Sequence, residues 1–441
     1  MLSQREIKSK SDGFLGRLRR PEVIHITGLF SVALFIRWAY VLAKRGEPLW
    51  GDVQFYDKLA VLFANEFLGA SFVPFFPEAT LIPYEHLGLV RPPLYPVFLG
   101  LVYMLFGHSL TVATLANGVL SALTVVVMYL LAQRLFGHTA GLIAGAFAAV
   151  YPPFIYLANV VYPETLYALC IITSVGLIVW SAERKGVALP ALAGLAAGLA
   201  INARANFLVA IPALTLAIWL CFELPKTRKA LAAGFFLAAV VITFVPRTVY
   251  NYFAYEIPTP FDLTSGFVLY LGNNATSTVN NYGTDDRIMT CREAEGAGDD
   301  AAKDAYLRMK AFDYISEHPG RTAKLWAARF YYFFHYDPGL RQSDFAARNV
   351  VYKWVNLVFY GPVLVLWLLS LLLLRDRRLF ALIHLTVLST AAAAIVFCVR
   401  VRYRLPVEPL IIVAAAGTAW YVITRFSTNK RKDTKKDESG I

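Results

Sequence analysis

Apolar runs long enough to cross a bilayer recur along the chain, at 23–43, 110–134, 139–158, 164–182, 187–203, 206–222, 230–247, 352–374, 379–399 and 405–424. Each comes near the ~20 residues that an α-helix needs to traverse ~30 Å of hydrocarbon. Backbone groups in lipid must find partners within their own segment, so these runs are read as helices. Of the 441 residues, 57% are hydrophobic and only 16% charged, against about 25% charged in an ordinary soluble domain. That leaves too little polar surface for a chain of soluble domains, and it excludes disorder and collagen. The expectation is an all-α polytopic membrane protein with about ten transmembrane helices.

The formal net charge of +12 points to the cytoplasmic membrane face rather than to nucleic acid. The N-terminal stretch MLSQREIKSKSDGFLGRLRRPE carries six basic and three acidic residues, and no small-residue cleavage site follows it. It reads as a retained anchor. With ten spans both termini are cytoplasmic. The inner segments then collect Arg134, Arg184 and Lys185, Lys226, Arg228 and Lys229, Arg375, Arg377 and Arg378, and the basic tail. Lys44 and Arg45 oppose this orientation and are outnumbered. The run 94–107 is short. Counting it as an eleventh span would put the basic tail outside, so it reads as an interfacial or re-entrant helix.

The resulting organisation is a cytoplasmic N-terminus 1–22, a transmembrane core 23–247 with a first outer loop 44–109, a mostly helical outer loop 248–351, C-terminal helices 352–424 and a cytoplasmic tail 425–441. The expected location is the inner (plasma) membrane. Within the second loop, TAKLWAARFYYFFHY (322–336) has the aromatic, amphipathic character of a surface helix, with Trp326 at headgroup depth. The four cysteines lie far apart and suggest neither disulfides nor zinc.

Polar groups cluster at the outer ends of these runs. Asp52 follows Trp50 and Gly51, with Tyr56 one helical turn later. A carboxylate beside the bilayer can serve as a general base toward an incoming hydroxyl, or simply cap a helix. Glu164 opens the fourth run behind Pro163, where a carboxylate is electrostatically easy. Arg204, Arg247, Arg400, Arg402 and Arg404 sit at further span ends, and Arg91 precedes Pro92, Pro93 and Pro96. Charges at such positions usually serve function. The guanidinium fork suits phosphate, although a single arginine can also snorkel to headgroups. Glu78, Glu85 and His86 lack diagnostic metal spacing. No HExxH, GxGxxG or Walker-type loop occurs, so a cytosolic nucleotide is not indicated as the energy source.

Together these segments resemble GT-C fold glycosyltransferases of the bacterial family 39 type, related to protein O-mannosyltransferases and to the aminoarabinose transferase of lipid A. The matching stretches are WGDVQFYDKLA (50–60), RPPLYPVFL (91–99), FGH (106–108), RLFG (134–137), VVYPETLYA (160–168), GLAAGLAINAR (194–204), PRTVYNY (246–252), YLGNN (270–274), EHPGR (317–321) and RYRLPVEP (402–409). Each is weak alone; their order and spacing carry the likeness. The resemblance implies sugar transfer from a polyprenyl-phosphate donor to a hydroxyl or phosphate of a lipid, glycan or protein acceptor at the outer membrane face. It implies Asp52 at the reaction centre and Glu164 as a second acidic residue where relatives often carry Asp. Tyr56, Arg91, Arg204, Arg247, Arg402 and Arg404 would bind substrate, the arginines facing the departing lipid phosphate. Some such enzymes use a divalent metal and others none, so metal is left open.

Two other classes compete. A secondary transporter for an anionic solute would show inverted repeats and charges near the bilayer midplane; no repeat is visible and the charges gather at one face. A non-enzymatic membrane scaffold would leave the acidic first loop and the 400–404 arginines apart in space.

Overall fold

The computed structural model describes residues 21–45, 52–75, 89–182, 186–279, 284–336 and 350–438. Glu47, Trp50, Gly51, Glu78, Glu85, His86, the basic segment 1–20 and residues 183–185 lie outside them. Among the described residues, regular structure is entirely helical. The order is α1 (Pro21–Ala43), α2 (Val53–Leu68), α3 (Leu94–Phe106), α4 (Leu110–Phe136), α5 (His138–Val150), α6 (Pro152–Ala158), α7 (Glu164–Ser181) and α8 (Ala188–Ala203). A 3-10 turn (Ala205–Ala210) leads into α9 (Ile211–Cys221), then α10 (Lys226–Ile242) and α11 (Val245–Tyr255). Next come α12 (Ser265–Gly272), α13 (Thr284–Ala294), α14 (Asp300–Glu317) and α15 (Pro319–Phe334). The chain closes with α16 (Val350–Leu373), α17 (Arg377–Phe397), α18 (Val401–Arg404) and α19 (Glu408–Glu438).

All ten apolar runs fall on these helices. By length and composition six qualify as membrane spans, or seven if the bent pair α5–α6 counts as one. Helices α3, α8 and Ala205–Cys221 are apolar but shorter. At 13 residues, α3 is about 20 Å long, short of the ~30 Å hydrocarbon core.

The run 139–158 is broken rather than continuous. Pro152 and Pro153 supply no amide donors, and the helix bends by 52° there. Arg37, fully buried on α1, takes up the carbonyls at the break. Its Nη2 donates to Ala148 O (3.1 Å) and its Nη1 to Ala149 O (2.9 Å) and Ala33 O (3.0 Å), while Nε donates to Ser121 Oγ at 2.7 Å. A guanidinium buried among helix backbones is tolerated because its fork finds these acceptors.

Close helix packing sets the frame. Gly194 and Gly198 form a small-xxx-small stripe on α8 that lets α10 approach backbone to backbone. A Cβ at Gly194 would meet Phe236 O at 2.1 Å, and one at Gly198 would meet Thr243 Oγ1 at 2.3 Å. Asn202 extends the seam by donating to Thr243 Oγ1 (3.2 Å). The first half of α19, Leu410 to Ala416, is enclosed by neighbouring helices.

Among the helices between α11 and α16, α12 and α15 pack against α17, and α14 packs against α12. Asp304 on α14 caps α12 by accepting from Gly266 N at 2.7 Å, and Arg308 holds the same carboxylate at 2.5 Å. Helix α15 is amphipathic as its sequence predicts: Thr322, Arg329 and Phe333 are buried while Phe330 and Tyr331 are exposed. Arg329 donates to Gly272 O and to Ile395 O (3.1 Å), joining α15 to α12 and α17. Trp326 is half-buried and donates through Nε1 to Asn273 Oδ1 at 3.1 Å.

Candidate active site

Asp52 occupies the N-cap position of α2, but its side chain makes no capping bond. Only its backbone carbonyl serves the helix, accepting from Phe55 N (3.1 Å) and Tyr56 N (3.2 Å). The carboxylate turns away and accepts a hydrogen bond from Arg402 Nη2. Arg91 Nη2 stands 3.8 Å from its other oxygen. Burial by itself would raise the Asp52 carboxyl, but Arg402, Arg91 and Arg400 outweigh it and hold the group well below the usual carboxylate range. Burial likewise opposes the charge on Arg402, and Asp52 more than restores it, keeping that guanidinium well above its ordinary value.

Glu164 is the second anchor. Proline at 163 ends the preceding turn, and Glu164 opens α7 completely buried. Arg204 Nη2 donates to its Oε1, and Arg402 Nε lies 3.8 Å from the same oxygen. Arg204 can reach because α8 stops there: its backbone is extended (φ −153°, ψ 111°) between α8 and the 3-10 turn. Tyr rings orient the guanidiniums. Arg402 lies over Tyr162 (4.7 Å to the centroid) and Tyr403 (5.5 Å), and Arg204 over Tyr403 (5.0 Å).

The turn carrying Glu164 is itself held. Asn117 donates through Nδ2 to Val160 O (2.8 Å) and to Tyr95 Oη (2.9 Å). Tyr56 is buried edge-on to Tyr95, ring centroids 5.3 Å apart. Burial pushes its phenol up to about 12, so it stays protonated at neutral pH. Arg91 stacks on Phe55 at 5.0 Å, and its carbonyl accepts from Arg247 Nη2 at 3.2 Å.

Asp52, Glu164, Arg91, Arg204 and Arg402 therefore meet in one cluster, with Tyr56 behind them and Arg247 supporting the Arg91 backbone. Arg404 does not join. It is fully enclosed against Glu408 (2.5 Å), donates to His335 O (2.6 Å) and stacks 3.6 Å from the Tyr360 centroid. Tyr151 donates to the other Glu408 oxygen at 2.9 Å. This is a buried strut.

Three further contributors lie within the quoted stretches 50–60, 160–168 and 402–409, but nothing in the sequence singled out their roles. Tyr162 and Tyr403 act as platforms for the arginines, although Tyr403 stands between two arginines in sequence. A third element is Asp57, wholly buried on α2. It accepts from Phe75 N (2.8 Å) and Tyr103 Oη (3.1 Å) and pairs with His108 Nε2 at 2.8 Å. This contact fixes α2, and with it Asp52, against α3.

Within the cluster, Glu164 Oε2 and the Nε atoms of Arg204 and Arg402 are buried without hydrogen-bond partners. Four arginines, counting Arg400, act on two carboxylates. Such a surplus of oriented donors suits an anionic ligand.

The fold and this geometry define a class. The sequence model of the dolichyl-phosphate-mannose-protein mannosyltransferase family matches residues 90–250. No curated protein sequence matches the chain. Among solved structures, the archaeal oligosaccharyltransferase AglB from Archaeoglobus fulgidus, in complex with an inhibitory peptide and a dolichol-phosphate, superposes with a TM-score of 0.55 at 15% identity over 93% of this chain. Its apo form gives 0.55 at 14% identity. ArnT from Cupriavidus metallidurans bound to undecaprenyl phosphate matches more loosely, with a TM-score of 0.38 at 15% identity over 89% of this chain and 77% of its own. The chain spans about half the length of the oligosaccharyltransferase chains, 52% in both cases. It is a membrane protein with the GT-C fold, as its sequence led us to expect.

No group of three His, Cys, Asp or Glu side chains converges among the described residues. Asp52 and Glu164 are each engaged by a guanidinium, and Glu78, Glu85 and His86 lie outside the described residues.

Proposed function

We propose that this chain is a glycosyltransferase that moves a sugar from a polyprenyl-phosphate donor to a hydroxyl or phosphate of a lipid, glycan or protein acceptor. The observation that carries this reading is Arg402 standing between Asp52 and Glu164, with Arg91 and Arg204 beside it, in a GT-C fold.

The donor phosphate takes the unmet donors of Arg204 and Arg402. As the bond between the anomeric carbon and the phosphate oxygen breaks, its electron pair stays on that oxygen. The guanidiniums stabilise the charge that develops there. The acceptor oxygen forms the new bond to the anomeric carbon from the opposite side, so configuration inverts. A hydroxyl acceptor gives its proton to Asp52. That carboxylate is a poor base while Arg402 holds it. When Arg402 turns to the incoming phosphate, Asp52 gains proton affinity at the moment the donor is in place. Glu164 keeps Arg204 and Arg402 charged and aimed. Tyr56 lends a neutral wall.

In this reading the site opens at the outer face of the plasma membrane, about ten helices span it, and both termini are cytoplasmic. Mass spectrometry of envelope lipids and glycans from cells with and without the gene tests the proposal. Loss of one glycosylated species, with its unmodified acceptor accumulating, is the expected result. Identical profiles would contradict it.

A further inference from the structure

At the end of the bundle opposite the Asp52 cluster lies a second concavity that no step above uses. Helices α9 and α16 run from the cluster side to this end, and α17 starts here and runs back. A cavity of about 410 Å³ opens between them, within the size range of small-molecule sites. Leu220, Leu371 and Leu374 form apolar walls, and Arg375 and Arg377 stand at the rim. The surrounding helix faces are apolar and exposed, with Leu216 43%, Leu372 61% and Phe380 44% accessible, so the groove continues the lipid-facing surface.

Two features set it apart from ordinary lipid-facing helix. The first is charge. Arg378 is paired with Glu223 at 2.7 Å, and Asp376 caps α17 by accepting from Arg378 N at 2.8 Å. Arg375 and Arg377 leave the rim with an excess of one positive charge over Asp376. The second is His384, which lines the cavity and is almost fully buried. Its Nε2 lies 3.4 Å from Ser370 Oγ, while its Nδ1 has no hydrogen-bond partner. It sits in a π-helical stretch, Phe380–Leu385. Such widened turns recur at functional sites.

We propose that this groove binds one anionic glycerophospholipid. An acyl chain lies along Leu220, Leu371 and Leu374, the phosphate sits between Arg375 and Arg377, and the His384 imidazole meets the polar ester region. Basic pockets between membrane helices take acidic headgroups in this way. The proposal is independent of the transfer reaction.

Native mass spectrometry of the full-length protein, titrated with phosphatidylglycerol or phosphatidylcholine, tests it. The expected result is one tightly held phosphatidylglycerol per chain and weaker phosphatidylcholine. R375Q/R377Q should weaken phosphatidylglycerol about thirtyfold, the product of two headgroup contacts, while R375K/R377K retains it. L371W, which fills the groove without changing charge, should remove the tight adduct and keeps the test open if the double variant folds poorly. Equal binding of the two lipids, or unchanged phosphatidylglycerol binding in R375Q/R377Q or in L371W, would overturn the proposal. Displacement of phosphatidylglycerol from the groove by undecaprenyl phosphate at equal concentration would overturn it in favour of a carrier-lipid site.

Discussion

Arg402 closes onto Asp52 across 350 positions of sequence while its Nε stays 3.8 Å from Glu164. One guanidinium thus ties the start of α2 to the start of α7, and it does so from a four-residue helix between α17 and α19. The arrangement makes the proton affinity of Asp52 depend on where Arg402 points.

That dependence has a pH signature. The folded-state value of Asp52 is depressed. Its ion pair therefore contributes fully above the unfolded-state value of about 3.9, and the contribution is lost only as pH falls through the lower folded value. Between pH 5 and 8 the wild-type kcat/KM, which reports the free enzyme, should show no limb from Asp52 protonation. In R402Q burial is less opposed, and the acidic limb should move up by about one to three pH units. A pH–rate profile of both proteins checks this.

The Arg404–Glu408 pair should behave differently. Both side chains are fully enclosed, so removing one partner strands a buried charge at a cost of about 3–5 kcal/mol. E408A should lower thermal stability in detergent strongly. R402Q, at a partly open cluster, should lower transfer with a much smaller loss of stability. Melting curves of the two variants, set beside their transfer rates, separate strut from site.

The seam between α8 and α10 is a third point of test. A methyl at Gly194 meets the Phe236 carbonyl oxygen, backbone that cannot rotate aside. G194A should cost about 1–3 kcal/mol through overpacking and reduce the yield of monodisperse protein. G28A, where nothing lies within 4 Å, should be tolerated. Size-exclusion profiles of the two variants give the comparison.

Much of this was legible before any coordinates. Charged residues at the ends of apolar runs are costly, and Asp52, Glu164, Arg91, Arg204 and Arg402 stand out for that reason. What periodicity could not give is direction. Arg402 and Arg404 are two residues apart and equally basic, yet a single turn of helix sends one to the cluster and the other inward to Glu408. The spacing of Arg404 and Glu408, i and i+4, was the visible clue to that pairing. The kink at Tyr151 was also written in the chain, in Pro152 and Pro153, but a hydropathy average hides it. The ring platforms Tyr162 and Tyr403 and the Asp57–His108 contact depend on which helices meet, and no local pattern encodes that.

The most direct test of the central claim is complementation of gene-deleted cells with wild-type or D52N protein, followed by mass spectrometry of the envelope glycans and lipids. The account predicts that D52N inserts at wild-type levels but fails to restore the glycosylated product, leaving at most about one part in a hundred. Full restoration by D52N would contradict a role for this carboxylate in sugar transfer.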